Sequence, residues 1–187
     1  MKSNIIISLK YLFLSTIVFG FLYTGVITII GKTFFKEKAN GSLITKKNIV
    51  IGSKLIAQEF KDPKFFWGRP SAANFANIPS GASNYGAINK KLKDDIDSRI
   101  SSWKAYYPNI KQEDIPAELL MSSASGLDPH ISINAALFQV DRIIKVRNIS
   151  ENKNVKSKIL KLIYAHQEQS MINVLQLNLA LEQLFNE

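Results

Sequence analysis

A hydroxyl, a carboxylate and an imidazole stand close together in SASGLDPHIS, the stretch that ends at Ser132. These are the groups of a nucleophile, an orienting acid and a general base, which makes Asp128 and His130 candidates for hydrolytic chemistry. The chain has only two histidines, so the position of one here calls for a reason. A triad, however, needs its base turned toward the nucleophile, and a single contiguous segment rarely provides that turn. The same residues also read as local geometry. Gly126 suits a positive φ, Pro129 fixes the entry to a turn, and Ser132 is a good N-cap for a helix over residues 133–147. Asp128 can accept backbone N–H groups of the turn, and His130 can pack or bond locally. A structural turn is the preferred reading, a partner- or ligand-facing site the second and a catalytic site the third.

A second set of candidates lies in KDPKFFWGRPSA, with Phe65, Phe66, Trp67 and Arg69 in a loop stiffened by Pro63 and Pro70. Aromatic and arginine side chains dominate protein interfaces, so this loop and the adjoining Ser71 are expected to face a partner or a solute. The plainer alternative is that the aromatics cap a small core. Arg69 decides between them, because an arginine is seldom needed inside such a core and usually seeks a carboxylate or carbonyl. Ser83 and Asn84, in SGASNYGAIN, complete the candidates. No metal-ligand spacing appears, and with no cysteine there is neither a thiolate site nor a disulfide.

The elements that must carry these residues begin with an anchor. Tyr11 to Gly31 runs uncharged between Lys10 and Lys32, and about 20 apolar residues cross a bilayer core. The run is too long for a signal-peptide apolar region. It predicts a transmembrane helix at 11–31, a short tail at 1–10 and a soluble domain at 32–187. Within the span Thr16, Gly20, Thr24 and Thr28 recur every fourth residue, a stripe where a partner helix can approach closely. GVITIIGKT imitates a phosphate loop, but with one residue too many between its glycines and inside the membrane. Lysines after the span (Lys32, Lys36, Lys38, Lys46 and Lys47) outnumber those before it, which by charge favours a cytoplasmic domain. Net charge is +9, yet the basic residues are dispersed, so nucleic acid is not an expected partner.

The soluble part predicts an α+β fold: one mostly helical domain with a few short strands. NIVI suits a strand and SKLIAQEF a short helix capped by Ser53. Ile88, Leu92, Ile96, Ile100 and Trp103 mark an amphipathic helix ending before Pro108. Ala136, Val140, Ile143 and Ile144 form the stripe of the next helix, with Asp141, Arg142 and Lys145 on its polar side. Residues 154–167 read as helical, and NVLQLNLALEQLF supplies a last helix on Val174, Leu177, Leu181 and Leu184.

Taken in order, one span, GSKLIAQEFKDPKFFWGRPSA, SGASNYGAINKKL, ASGLDPHIS and NVLQLNLAL, the chain resembles the C subunit of the Kdp potassium-transporting ATPase, the KdpC family. The resemblance covers nearly the whole chain. It implies a non-catalytic accessory subunit of a high-affinity, ATP-driven potassium uptake complex, with a channel-like A subunit, a P-type ATPase B subunit and a small F subunit as partners. It implies no cofactor of the chain's own; ATP enters through the catalytic partner, whose ATP affinity the subunit is described as raising, and potassium is what the complex transports. It also implies a bacterial inner-membrane location with the large domain outside, against the lysine count, which a large translocated domain can override. Ala82, Ala87 and Ile133 stand where the family usually has glycine, proline and proline, and Ala82 is expected to cost backbone freedom in the serine-glycine piece. The chain has no aspartyl-phosphate motif and no valid phosphate loop. A membrane-anchored hydrolase using Asp128 and His130, and an anchored solute-binding module, are the alternatives from other classes.

Overall fold

The computed structural model describes residues 2–76, 78–149 and 153–186. The chain divides into two compact units at Leu43/Ile44.

The first unit is built on one continuous helical rod: α1 (Lys2–Ser15), a π-helical segment (Thr16–Tyr23) and α2 (Thr24–Phe34). Over Asn4–Phe34 it is 31 residues long, with a mean hydropathy of 2.1 in its most apolar window, long and apolar enough to cross a membrane. Residues 2–10, expected as a tail, are part of the helix. The π-helical turn changes the residue spacing around the axis, so Thr16, Gly20 and Thr24 do not form the straight α-helical stripe that a four-residue repeat suggests. Thr16 donates to Leu12 O (2.8 Å), Thr24 to Gly20 O and Thr28 to Thr24 O (2.7 Å). Their hydroxyls are thus absorbed by their own helix. A short α3 (Lys36–Ala39) follows the rod.

The second unit is α+β. A hairpin lies at its start, β1 (Leu43–Lys46) and β2 (Ile49–Ser53), exposed at its turn and buried at Ser53, and turned through Lys47 and Asn48 at positive φ. The helix expected from SKLIAQEF does not form. Ser53 Oγ accepts Leu55 N–H (3.1 Å) in a turn, and Ala57 N–H is taken by Leu127 O (2.9 Å). Tertiary pairing overrides the propensity of a run this short.

α4 (Lys90–Lys104) is capped by Asn89, whose side chain accepts Lys91 N–H (2.9 Å). Ile88 lies outside it, fully exposed, so the apolar stripe begins at Leu92 rather than Ile88. β3 (His130–Ser132) leads directly into α5 (Ile133–Val146). After α6 (Lys153–Ala165), β4 (Gln167–Glu168) and β5 (Met171–Asn173) lead into α7 (Val174–Asn186). The antiparallel order is β3-β5-β4, with Ile131 opposite Ile172. Both isoleucines are fully buried, together with Val140 and Ile143 of α5, Ile159 and Ile163 of α6, and Leu177 and Leu181 of α7. Three helices on a small sheet, joined by Ile100 and Trp103 of α4, therefore enclose one core, and Phe66 from the loop after β2 enters it.

Candidate functional site

Ser132 caps α5 as its sequence suggests: its Oγ accepts Ala135 N–H (3.1 Å) while its own hydroxyl donates to Glu118. Glu118 also takes Ser132 N–H with both oxygens (3.2 Å each). The cap is therefore clamped from both sides, and this hydroxyl has no freedom to act as a nucleophile. Gly126 takes φ +71°, and a Cβ there would meet Gly81 O at 2.8 Å and Ala73 Cβ at 3.2 Å. Only glycine meets both the conformation and the close approach.

Asp128 accepts His130 N–H (3.0 Å) through one oxygen and pairs with Arg69 Nη1 (3.0 Å) through the other. His130 Nδ1 lies 3.6 Å from Asp128. The two candidate motifs, far apart in sequence, thus meet in one half-buried pair. Ser125 Oγ is taken up by Leu127 N–H (3.1 Å), and Ser122 Oγ by Arg99 Nη2 (3.1 Å). The geometry joins no described serine hydroxyl to His130. The acid-and-base pattern of the sequence resolves into a turn locked by an arginine, with a cleft of about 460 Å3 beside it lined by Asp128, His130, Glu168, Gln169 and Met171.

The aromatic loop is the larger correction. Phe66, expected to face a partner, is fully buried in the core. Its N–H is accepted by Asn178 Oδ1 (2.8 Å) and its carbonyl takes Asn178 Nδ2 (2.9 Å). Gln139 does the same for Trp67, accepting its N–H (2.7 Å) and donating to its carbonyl (3.0 Å). Two buried side-chain amides therefore satisfy both backbone groups of consecutive loop residues, as a neighbouring strand would. Phe65 is partly buried, 5.7 Å from Phe60 between ring centroids. Trp67 lies 5.1 Å from Trp103, against Arg142. Ser71 Oγ caps its own turn, accepting Phe75 N–H (2.9 Å). Ser83 lines a hollow of about 400 Å3 with Ser71, Tyr85, Asp95 and Arg99, and the exposed Asn84 lies beside it at φ 53°. Ala82 is not at positive φ, so alanine carries no left-handed backbone strain there, contrary to the sequence expectation.

Sequence reasoning missed Arg142, placed on the polar side of α5. It is 1% exposed, the largest fully buried side chain among those described. Its guanidinium donates to Pro63 O, to Phe65 O (3.0 Å) and to Gln139 Oε1 (2.7 Å), and stacks 3.9 Å from the Trp67 ring. Among the described residues no carboxylate pairs with it. Burial lowers its pKa to about 10, still protonated at neutral pH. Tyr107 lies alongside, donating to Phe138 O (2.8 Å) and accepting Arg142 N–H (3.1 Å). Burial pushes its phenol up. The available signal was spacing: Gln139 and Arg142 stand three apart, each within a helical turn of buried α5 residues, on the face that a wider stripe would include.

Among the described residues one helix is long and apolar enough to cross a membrane, and in the α+β domain Arg69, Asp128 and His130 meet one another while Ser71 bonds within its own turn. The family model described as KdpC, K+-transporting ATPase, c chain, matches residues 5–183. The chain belongs to that family. It is 42% identical over 180 residues to the potassium-transporting ATPase KdpC subunit of Dechloromonas aromatica (strain RCB), covering 90% of this chain and 91% of the relative. Against the subunit of the same name from Bacillus cereus (strain B4264) it is 40% identical over 188 residues, covering 96% and 94%. Against that of Caldanaerobacter subterraneus subsp. tengcongensis it is 36% identical over 181 residues, covering 93% and 92%.

Proposed function

We propose that this chain is a non-catalytic subunit of a high-affinity, ATP-driven potassium uptake complex, anchored by its apolar helix in the bacterial inner membrane with the α+β domain outside. It holds together the channel-like A subunit, the P-type ATPase B subunit and the small F subunit, and raises the ATP affinity of the B subunit without a nucleotide site of its own. The family match across residues 5–183 carries this reading. It is supported by the site, where Arg69, Asp128 and Ser132 are committed to internal bonds, an arrangement suited to a rigid module rather than to turnover.

Affinity purification of the tagged chain in mild detergent tests it. Two large membrane proteins are expected to co-purify, and a reporter fused after Glu187 is expected to be active only on the outer side. Gly20→Leu is expected to lower the yield of complex. A Cβ at Gly20 meets nothing closer than Thr16 Cγ2 at 3.7 Å, so the helix itself tolerates the change and any loss reports on packing against a partner helix. A chain that purifies alone and turns over ester or phosphate substrates would overturn the reading.

A further inference from the structure

The β1–β2 hairpin leaves apolar residues bare. Ile49 is 67% exposed, Val50 55% and Leu55, just beyond β2, 60%. Ile49 and Val50 are consecutive in a strand and point to opposite faces, so neither face of the hairpin is covered at this end. The far end of β2 packs on the domain, with Gly52 against Gln58 and Leu175 and Ser53 buried, so the bare apolar surface is confined to the Ile49–Val50 end and Leu55. We propose that this hairpin is a membrane-surface contact, seated among anionic lipid headgroups with its isoleucine and valine reaching the acyl boundary.

Three observations select lipid over a protein partner. The segment from Leu43 to Leu55, LITKKNIVIGSKL, holds three lysines and no acidic residue, which complements an anionic surface. Its cations are all lysine, with no arginine, the cation that dominates protein-binding surfaces. Lys47, at the turn, and Lys46 beside it have flexible stems that lie along apolar surface while the ammonium reaches phosphate. Lys46 also bonds Glu182 (3.3 Å), an exposed pair that an anionic headgroup can replace at little cost.

The hairpin follows the rod closely in sequence. Only residues 35–42 separate Phe34, the end of the apolar rod, from Leu43, and part of that stretch is wound into α3, with Ser42 N–H returned to Glu37 O (2.9 Å). The inference rests on the reading of the rod as a membrane span, and its test separates the two.

The absence of cysteine lets single probes be placed cleanly. Ile49→Cys and Phe19→Cys, each in the full chain and each carrying an environment-sensitive fluorophore, are reconstituted into phosphatidylcholine vesicles with or without phosphatidylglycerol. Spin-labelled phosphatidylcholine serves as the quencher. The Ile49 probe is expected to shift to the blue and to be quenched, more so with phosphatidylglycerol. Replacing Lys46 and Lys47 by glutamine is expected to remove that enhancement, at about fivefold in surface affinity per lysine. Quenching at Phe19 without quenching at Ile49 overturns the hairpin proposal and leaves the span intact, whereas no quenching at Phe19 overturns the span. Protection of the Ile49 probe only when the partner subunits are present, whatever the lipid, assigns the hairpin to a protein instead.

Discussion

Replacing Arg142 by methionine removes a buried cation without leaving a large void, and the structure sets the size of the effect. Three hydrogen bonds from a charged donor are lost, each worth about 1.5–3 kcal/mol; two main-chain carbonyls are left short of a donor, while Gln139 Oε1 keeps Trp67 N–H. The stack on Trp67 adds about 2 kcal/mol when desolvated. Against this, the fall of the guanidinium pKa to about 10 means that burying the charge costs on the order of 3 kcal/mol, which methionine recovers. The methionine stem also returns part of the apolar burial. The expected net loss is roughly 2–5 kcal/mol, a large share of the stability of a domain this size. Both tryptophans of the chain face this guanidinium, at 3.9 and 5.5 Å, so intrinsic fluorescence during urea unfolding of the full chain in detergent reads the site directly. Arg142→Lys is expected to do no better than methionine, because a compact ammonium is more strongly hydrated and does not span three divergent acceptors. Unfolding of Arg142→Met within about 1 kcal/mol of the parent would show that the cation contributes no net stability and refute the reasoning.

Arg69→Ala is expected to destabilise the domain by roughly 1–3 kcal/mol, since its partner Asp128 is only 25% exposed and would be left unpaired; an unchanged melting temperature with impaired transport would return Arg69 to an interface role. Gly126→Val should cost about 3 kcal/mol or more through left-handed strain and the approach to Gly81 O, while His130→Gln should melt like the parent; a Gly126→Val chain that melts with the parent would remove the turn argument. Tyr107 predicts a pH dependence. Its folded pKa lies above the unfolded value near 10, so the folded state holds its proton longer and stability falls as pH climbs past 10. Arg142, with a folded pKa near 10 that lies below its unfolded one, works in the opposite sense from pH about 10 upward. Denaturant midpoints for the parent and Tyr107→Phe between about pH 9 and 11 isolate the phenol: the variant should lose less stability over that range, and parallel curves would contradict the shift.

The helices were legible because their apolar spacing and caps are local: Asn89 and Ser132 sit where a residue-by-residue reading places helix starts, although Ile88 showed that a stripe can overrun its own cap. The candidate site was legible only in pieces. Gly126 and Ser132 act locally and were readable. The pairing of Arg69 with Asp128 spans 59 residues and carries no local signature. The aromatic loop misled for a related reason. Aromatic and arginine side chains mark interfaces and cores alike, and only the amides of Gln139 and Asn178, far along the chain, turn Phe66 and Trp67 inward. A polar residue on a buried helical face has a sequence signal in its spacing, but nothing in that spacing names the loop it serves.

Those two amides also order events during synthesis. Asn178 lies 112 residues after Phe66 and Gln139 lies 72 after Trp67. At about 5–20 residues per second, Phe66 waits on the order of 6–20 s after it is made before its amide partner exists. Until then the backbone N–H and C=O of the loop remain with water, and its aromatic rings have no closed core to enter. Completion of this domain is therefore withheld until α7 has been made, and the aromatic surface of Phe65–Trp67 stays uncovered in the nascent chain until then.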